Sequence, residues 1–184
     1  MITPQAIPDV LLITPSRFAD SRGWFSESWN QARLRDHGFT HEFVQDNHSF
    51  SRATGTIRGL HCQIAPFVQG KLVRCVRGAI WDVAVDLRHG SASYGRHVAA
   101  ELTADNGAQL WIPEGFLHGF CTLAPDTEVI YKVTSSYDKA SERGVIWNDP
   151  DLALPWPVDA DAAVLSDKDM VMPRLTTCPA WFAR

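Results

Sequence analysis

Short runs in which apolar and polar residues alternate, each closed by Gly, Pro, Asn, Asp or Ser, fill the middle of the chain. Lys71 to Val76, Ala79 to Leu87, Arg96 to Leu102, Gln109 to Ile112, Phe116 to Leu123 and Glu128 to Thr134 all have this form. Successive side chains of a strand point to opposite faces, so such spacing predicts an all-β sandwich or barrel. Upstream, Val10 to Ile13 reads as a strand closed by Pro15, and Phe18 to Glu27 as strand, turn, strand about Asp20-Ser21-Arg22-Gly23. From Ser28 to His37 the period of two lapses among helix formers, and Gly38 stands where a C-terminal cap belongs, which predicts one short helix. Glu42 to His48 alternates again, with Phe43, Gln45 and Asn47 on one face. Those two amides either face inward, where a ligand is one partner for them, or lie in water on an edge strand.

After Tyr137 the alternation gives way to Pro, Asp and Ala, which reads as a wrapping tail of one domain spanning residues 1–184, the tail beginning at about residue 138. Within it, Leu165-Ser166-Asp167-Lys168-Asp169 opens a short helix with Ser166 as cap and Asp169 third, a local reason for those residues. Two runs carry polar groups that need explaining. In one, Asp82 and Asp86 share a face with Ala84 against Trp81, Val83 and Val85, and a solvated outer face accounts for them as well as any other reading. In the other, Tyr131 lies on the apolar face with Val129 and Val133, where its hydroxyl must find a partner.

The segment Arg58-Gly59-Leu60-His61-Cys62-Gln63 is short enough for one strand, with His61 and Gln63 on one face and Leu60 and Cys62 on the other. Gly55-x5-His61-x-Gln63 resembles the first metal motif of a cupin barrel, and Gly107-x5-Pro113-x-Gly115-x-x-His118 the second. Antiparallel pairing would bring the two histidines together. A cupin metal centre wants at least three ligands, and here Gln63 replaces a histidine, no Glu follows it, and Thr122 holds the last place. No metal is therefore expected, and a sugar-binding barrel without catalysis is the other rival.

Composition adds mainly exclusions. With 184 residues, 45% hydrophobic and 21% charged, the chain can bury a substantial single core. A net charge of −4, with scattered lysines and arginines, offers no field for nucleic acid. No apolar run approaches a membrane span and Met1 to Val10 lacks signal-peptide regions, so a cytoplasmic protein is expected. Cys62, Cys75, Cys121 and Cys178 are far apart and read as buried thiols.

Six blocks occur in order from about Ile7 to Pro173: Arg22-Gly23-Trp24-Phe25-Ser26-Glu27, Gln45-Asp46-Asn47-His48-Ser49, Arg58 to Gln63, Gly70-Lys71-Leu72-Val73-Arg74, Trp111 to Phe120, and Leu165 to Asp169. Together they resemble the dTDP-4-dehydrorhamnose 3,5-epimerase family of the dTDP-L-rhamnose pathway. The resemblance implies a cupin-like jelly-roll barrel with a few short helices, a homodimer with strand exchange, and no cofactor. The implied reaction is epimerisation of dTDP-4-dehydro-6-deoxy-D-glucose at C3 and C5, or at one of these carbons in a related sugar. It also implies His61 as base with Asp169 as its partner, Tyr131 as acid, and Lys71 on the keto oxygen. Arg22, Phe25, Glu27, Gln45, Asn47, Arg58, Gln63, His118, Glu142 and Lys168 match substrate-binding positions, and Tyr137 the tyrosine that stacks on thymine. Trp24 and Ser26 depart from the phenylalanines expected there. The chemistry is coherent in its own right: a carbonyl acidifies the adjacent C–H, an imidazole titrating at about 6.5 can remove that proton, and a cation can hold the enolate.

Overall fold

The computed structural model describes residues 1–182, so the last two residues of the expected tail lie outside the described residues. In chain order the first strands are β1 (Ile2–Pro4), β2 (Leu11–Ile13), β3 (Arg17–Asp20) and β4 (Gly23–Ser26), followed by helix α1 (Gln31–Arg35). Then come β5 (Gln45–Ser51), β6 (Ile57–Gln63), β7 (Lys71–Arg77), β8 (Ala79–Asp86) and β9 (His97–Thr103). The series closes with β10 (Gln109–Ile112), β11 (Phe116–Thr122), β12 (Thr127–Val133), β13 (Glu142–Gly144) and helix α2 (Asp167–Met170). Antiparallel pairing gives a sheet in the order β1-β2-β10-β7-β12-β5, a second in the order β13-β6-β11-β8-β9, and the separate hairpin β3-β4. The two large sheets pack as a jelly-roll barrel.

The core lies between them. Val73, Cys75, Leu110, Ile112 and Val129 from one sheet meet Ile80, Ala84, Val98, Leu102, Phe116 and Phe120 from the other. Each such side chain taken from water contributes about 1.5–3 kcal/mol before the entropy of ordering is set against it. The outer faces are covered too. Trp29, Leu34, Phe39 and Phe43, around α1, pack on Leu72 and Trp111 of the first sheet. Leu152, Leu154, Trp156, Leu175 and Phe182 lie over Leu60, Val83, Val85 and Leu117 of the second.

Helix α1 is shorter than the ten residues expected, since Asn30 caps it by accepting from Arg33 N. Gly38 does close it: with φ at +82° its N–H donates to Arg35 O at 2.9 Å and Phe39 N–H to Leu34 O at 2.9 Å, the Schellman pattern. β1 and β13 are too short to show a period of two in sequence. Cys178 is a correction, being only half-buried, whereas Cys62, Cys75 and Cys121 are buried. For Asp82 and Asp86, where the sequence left two readings open, both carboxylates are fully buried and face between the sheets.

Candidate active site

A cavity of about 500 Å³ opens between the sheets, lined by Arg58, His61, Lys71, His118, Tyr131, Glu142, Lys168 and Asp169 among others. His61 and His118 are direct register partners in the β6–β11 pair, so the two motif histidines meet as the spacing expected. That approach depends on Gly59, whose φ is +128° and whose added Cβ would stand 2.6 Å from Gly119 Cα. Only a residue without a side chain fits there. Behind His61, Leu60 and Cys62 are buried in the layer under the tail, which fixes the strand's face.

His61 Nε2 and Asp169 Oδ1 are 2.6 Å apart. The carboxylate arrives from α2, where the Ser166 hydroxyl accepts from Asp169 N–H at 3.2 Å. The following turn is tied down by Ile146 N–H donating to Pro173 O at 2.9 Å. Burial pushes the Asp169 carboxyl up, but the hydrogen bond and charge of His61, with help from Ser166 and Lys168, hold it below its ordinary value. A charge-assisted contact this short orients the ring.

Tyr131 faces the cavity from β12, on the opposite sheet. Burial raises its phenol, and Arg58 opposes that in part, so the hydroxyl keeps its proton at neutral pH. Lys71 is 9% exposed, and among the described residues it makes no ion pair. Glu142 accepts from Lys168 Nζ at 2.7 Å and from the Tyr137 hydroxyl at 3.3 Å. Arg58 is anchored by donating to Ser51 Oγ at 3.1 Å and Phe50 O at 2.8 Å.

A smaller recess shares His61, Lys71, Tyr131 and Glu142 with the cavity and adds Asn47, Gln63 and Tyr137. Gln45 belongs to this edge: its amide donates to Asn47 Oδ1 at 2.7 Å and accepts from Tyr137 N–H at 3.0 Å. The amides of β5 thus turn inward, although β5 is an edge strand. Gln63 is different. Its NH₂ donates to Phe67 O at 2.6 Å and Ser136 O at 3.1 Å, and its oxygen accepts from Asp138 N–H, so the amide serves the backbone of the neighbouring loops.

Three expected residues are not brought to this cavity within the chain. Arg22 is exposed and pairs with Asp20, Phe25 is 69% exposed, and Glu27 pairs with Arg33 beside a different recess. Trp24, one of the two departures, serves locally as a platform for the Arg17 guanidinium 4.0 Å above it. Sequence reading gave no site role to Ser49, Phe120 or Asp82. The first two face the cavity at alternate positions of β5 and β11, a period visible in sequence, whereas Asp82 lies behind His118 and becomes legible only with the fold.

The donors do not suit a cupin metal centre. His61 and His118 each spend Nε2 on a carboxylate, and among the described residues no group of three or more His, Cys, Asp or Glu could hold an ion. Comparison with known proteins points the same way as the geometry. The sequence model of the family described as dTDP-4-dehydrorhamnose 3,5-epimerase matches residues 4–177. The chain belongs to this family. A dTDP-4-dehydrorhamnose 3,5-epimerase of Sinorhizobium fredii is 50% identical over 177 residues, covering 96% of this chain and 90% of that protein. The crystal structure of the Bacillus anthracis epimerase with TDP and PPi bound superposes with a TM-score of 0.92 at 48% identity, covering 95% of this chain and 99% of that one. The Legionella pneumophila enzyme in complex with dTDP-4-keto-L-rhamnose gives 0.92 at 40% identity, over 98% and 95% of the two chains.

Proposed function

We infer that this protein epimerises dTDP-4-dehydro-6-deoxy-D-glucose at C3 and C5 to dTDP-4-dehydro-L-rhamnose, as a single domain acting in the cytoplasm. The observation that carries the reading is the His61–Asp169 contact of 2.6 Å facing Tyr131 across one cavity. In this reading His61 removes the proton next to the C4 ketone, and Asp169 fixes the ring and stabilises the imidazolium that forms. Lys71 stabilises the enolate oxygen as charge develops there. Tyr131 returns a proton to the opposite face, and the carbon is inverted. No step draws on a redox group.

Arg58 and Lys168 offer cations to the pyrophosphate, with Arg58 able to make a bidentate contact. Tyr137, 55% exposed at the rim, is available to stack on the thymine. Arg22, Phe25 and Glu27 complete the site of a second copy in a homodimer, which accounts for a hairpin that leaves Phe18 at 58% and Trp24 at 59% exposure. Incubating the keto sugar nucleotide with enzyme in deuterated water tests the assignment: NMR should find label at both C3 and C5 of an inverted product. Label and inversion confined to one carbon would make this a mono-epimerase, and no label at either would end the reading.

A further inference from the structure

Asp82 stands directly behind the cavity. It is fully buried on β8, its Oδ1 is 2.8 Å from His118 Nε2, and its Oδ2 is buried with no hydrogen-bond partner among the described residues. His118 is itself buried and lines the cavity, as does Lys71 from the facing sheet. A buried carboxylate with one oxygen unpaired is a costly way to hold an imidazole, because an amide of the same shape would hold it without a charge. The charge therefore needs a use other than packing.

We propose that Asp82 is a positioning residue for the reaction assigned above: it clamps His118 through Nε2 and supplies the anion that keeps Lys71 a cation at the enolate oxygen. The proposal rests on that reading of the cavity. The surroundings of each group support it. The groups whose charge acts on Lys71 of β7 are the Cys62 thiol of β6, Asp82 of β8, Glu142 of β13 and Lys168 of α2. Burial drives the Lys71 ammonium down, Cys62, Asp82 and Glu142 resist, and Lys168 adds to the fall. Of the two carboxylates, Glu142 is bonded to Lys168 and to the Tyr137 hydroxyl, whereas Asp82 spends Oδ1 on His118 and keeps Oδ2 free among the described residues. His118 touches Asp82 and lies within the influence of Lys71 and His61, while burial pushes the Asp82 carboxyl up and His118 and Lys71 pull it back. With its Nε2 held by Asp82, His118 has only Nδ1 left to meet a ligand. Burial, with Lys71 and His61, holds the imidazole below its ordinary value against the pull of Asp82, so the ring is neutral and Nδ1 meets a ligand as an acceptor.

Asp82→Asn tests this, since it keeps an acceptor for His118 Nε2–H and removes only the charge. Without the anion Lys71 loses its proton more readily, so the alkaline limb of kcat/KM should move to lower pH by about one to three units. A fall in kcat on the order of 10-fold or more should accompany it. Tm should hold or rise, because a neutral amide costs less to bury than a carboxylate. A lower Tm with the limb in place would reduce Asp82 to a packing role and overturn the proposal. Two readouts need no turnover. The Lys71 side chain, ¹³C-labelled and assigned through Lys71→Met, should titrate at lower pH in Asp82→Asn than in the wild type. In the wild type, ¹⁵N shifts should place the His118 proton on Nε2, and a bare Nε2 would overturn the clamp even if the variant failed to fold. If the wild type left the keto sugar unchanged, the assigned reaction would fail while the lysine titration still reported on Asp82.

Discussion

The proton transfer proposed above falls to side chains that stand on opposite sheets, so their roles can be separated one substitution at a time. His61→Ala should abolish both epimerisation and deuterium uptake, because no enolate forms. Tyr131→Phe should still exchange substrate protons through His61, which can return a solvent proton to the same face, while inverted product falls about 10²- to 10⁴-fold. Asp169→Asn should lie nearer the histidine variant, since the ring loses both its orientation and support for its positive form. NMR of substrate and product in deuterated water reads all three. Full exchange in His61→Ala together with none in Tyr131→Phe would exchange the two assignments. At this scale the sequence was informative where one residue type has one chemical use, as with His61, Tyr131 and Lys71. Gln63 was expected among the substrate contacts, but its amide chemistry suits a substrate and a loop equally, and here it holds Phe67, Ser136 and Asp138.

Strands set what those side chains can reach, and two of them make predictions of their own. Gly59→Ala would push a methyl group into Gly119 and the His118 carbonyl at a φ that costs about 1–3 kcal/mol by itself. Thermal melting should drop by several degrees, and activity should fall further than stability does, because β6 and β11 carry the two histidines apart. An unchanged melt would mean that the strands can relax around the methyl. At the other end of β8, Asp86 accepts from Arg88, Ser91 and Ser93 and so pins the chain leading into β9. Burial pushes its carboxyl up, but those donors pull it down to about 2 from an ordinary 3.8. A depressed carboxyl stabilises the fold above its unfolded value and loses that contribution as pH falls towards the folded one. At most about 2 kcal/mol should therefore disappear between pH 4 and pH 2, roughly. In chemical melts across that range Asp86→Asn should start less stable at neutral pH and show a flatter acid limb. A parallel profile would assign the acid sensitivity elsewhere.

The β8 carboxylates also show where alternation stops being readable. A period of two separates the faces of a strand, but it names the inner one only when the other is wet. In β8 both faces are covered: Trp81 packs edge-on against Trp156 with 5.1 Å between ring centroids, while Asp82 and Asp86 lie between the sheets. The polar face is thus the interior one, a choice the sequence left open. Strands such as β10 and β12 were legible because turn residues punctuate them. Their sheet order and register depend on pairings that no local pattern encodes.

For the molecule as a whole, the hairpin β3-β4 is the part that one chain leaves unused. Its aromatic residues are exposed and its Arg22 lies away from the cavity that its family would have it serve. A homodimer with exchanged hairpins predicts complementation. Arg22→Ala and His61→Ala should each be inactive alone, and mixing them after co-expression should restore part of the activity, because one composite site in the mixed dimer is intact. Light scattering at micromolar concentration should give twice the chain mass. A fully active monomer, or no recovery on mixing, would overturn the exchange.

The contact between His61 and Asp169 spans 108 positions of the chain. On a ribosome, every strand of the barrel through β13 is made before the carboxylate exists. The strands can therefore pair around a histidine that has no partner to orient it. Closing so long a loop adds little entropy beyond closing one half its length, since that cost grows only with the logarithm of length. What remains is an order of events, in which catalytic competence follows the closing of the fold and arrives with one of the last turns to be synthesised. A chain ending between β13 and that turn would lack the wall that Val164, Leu165, Ser166, Lys168 and Asp169 supply, and would leave its histidine without a carboxylate.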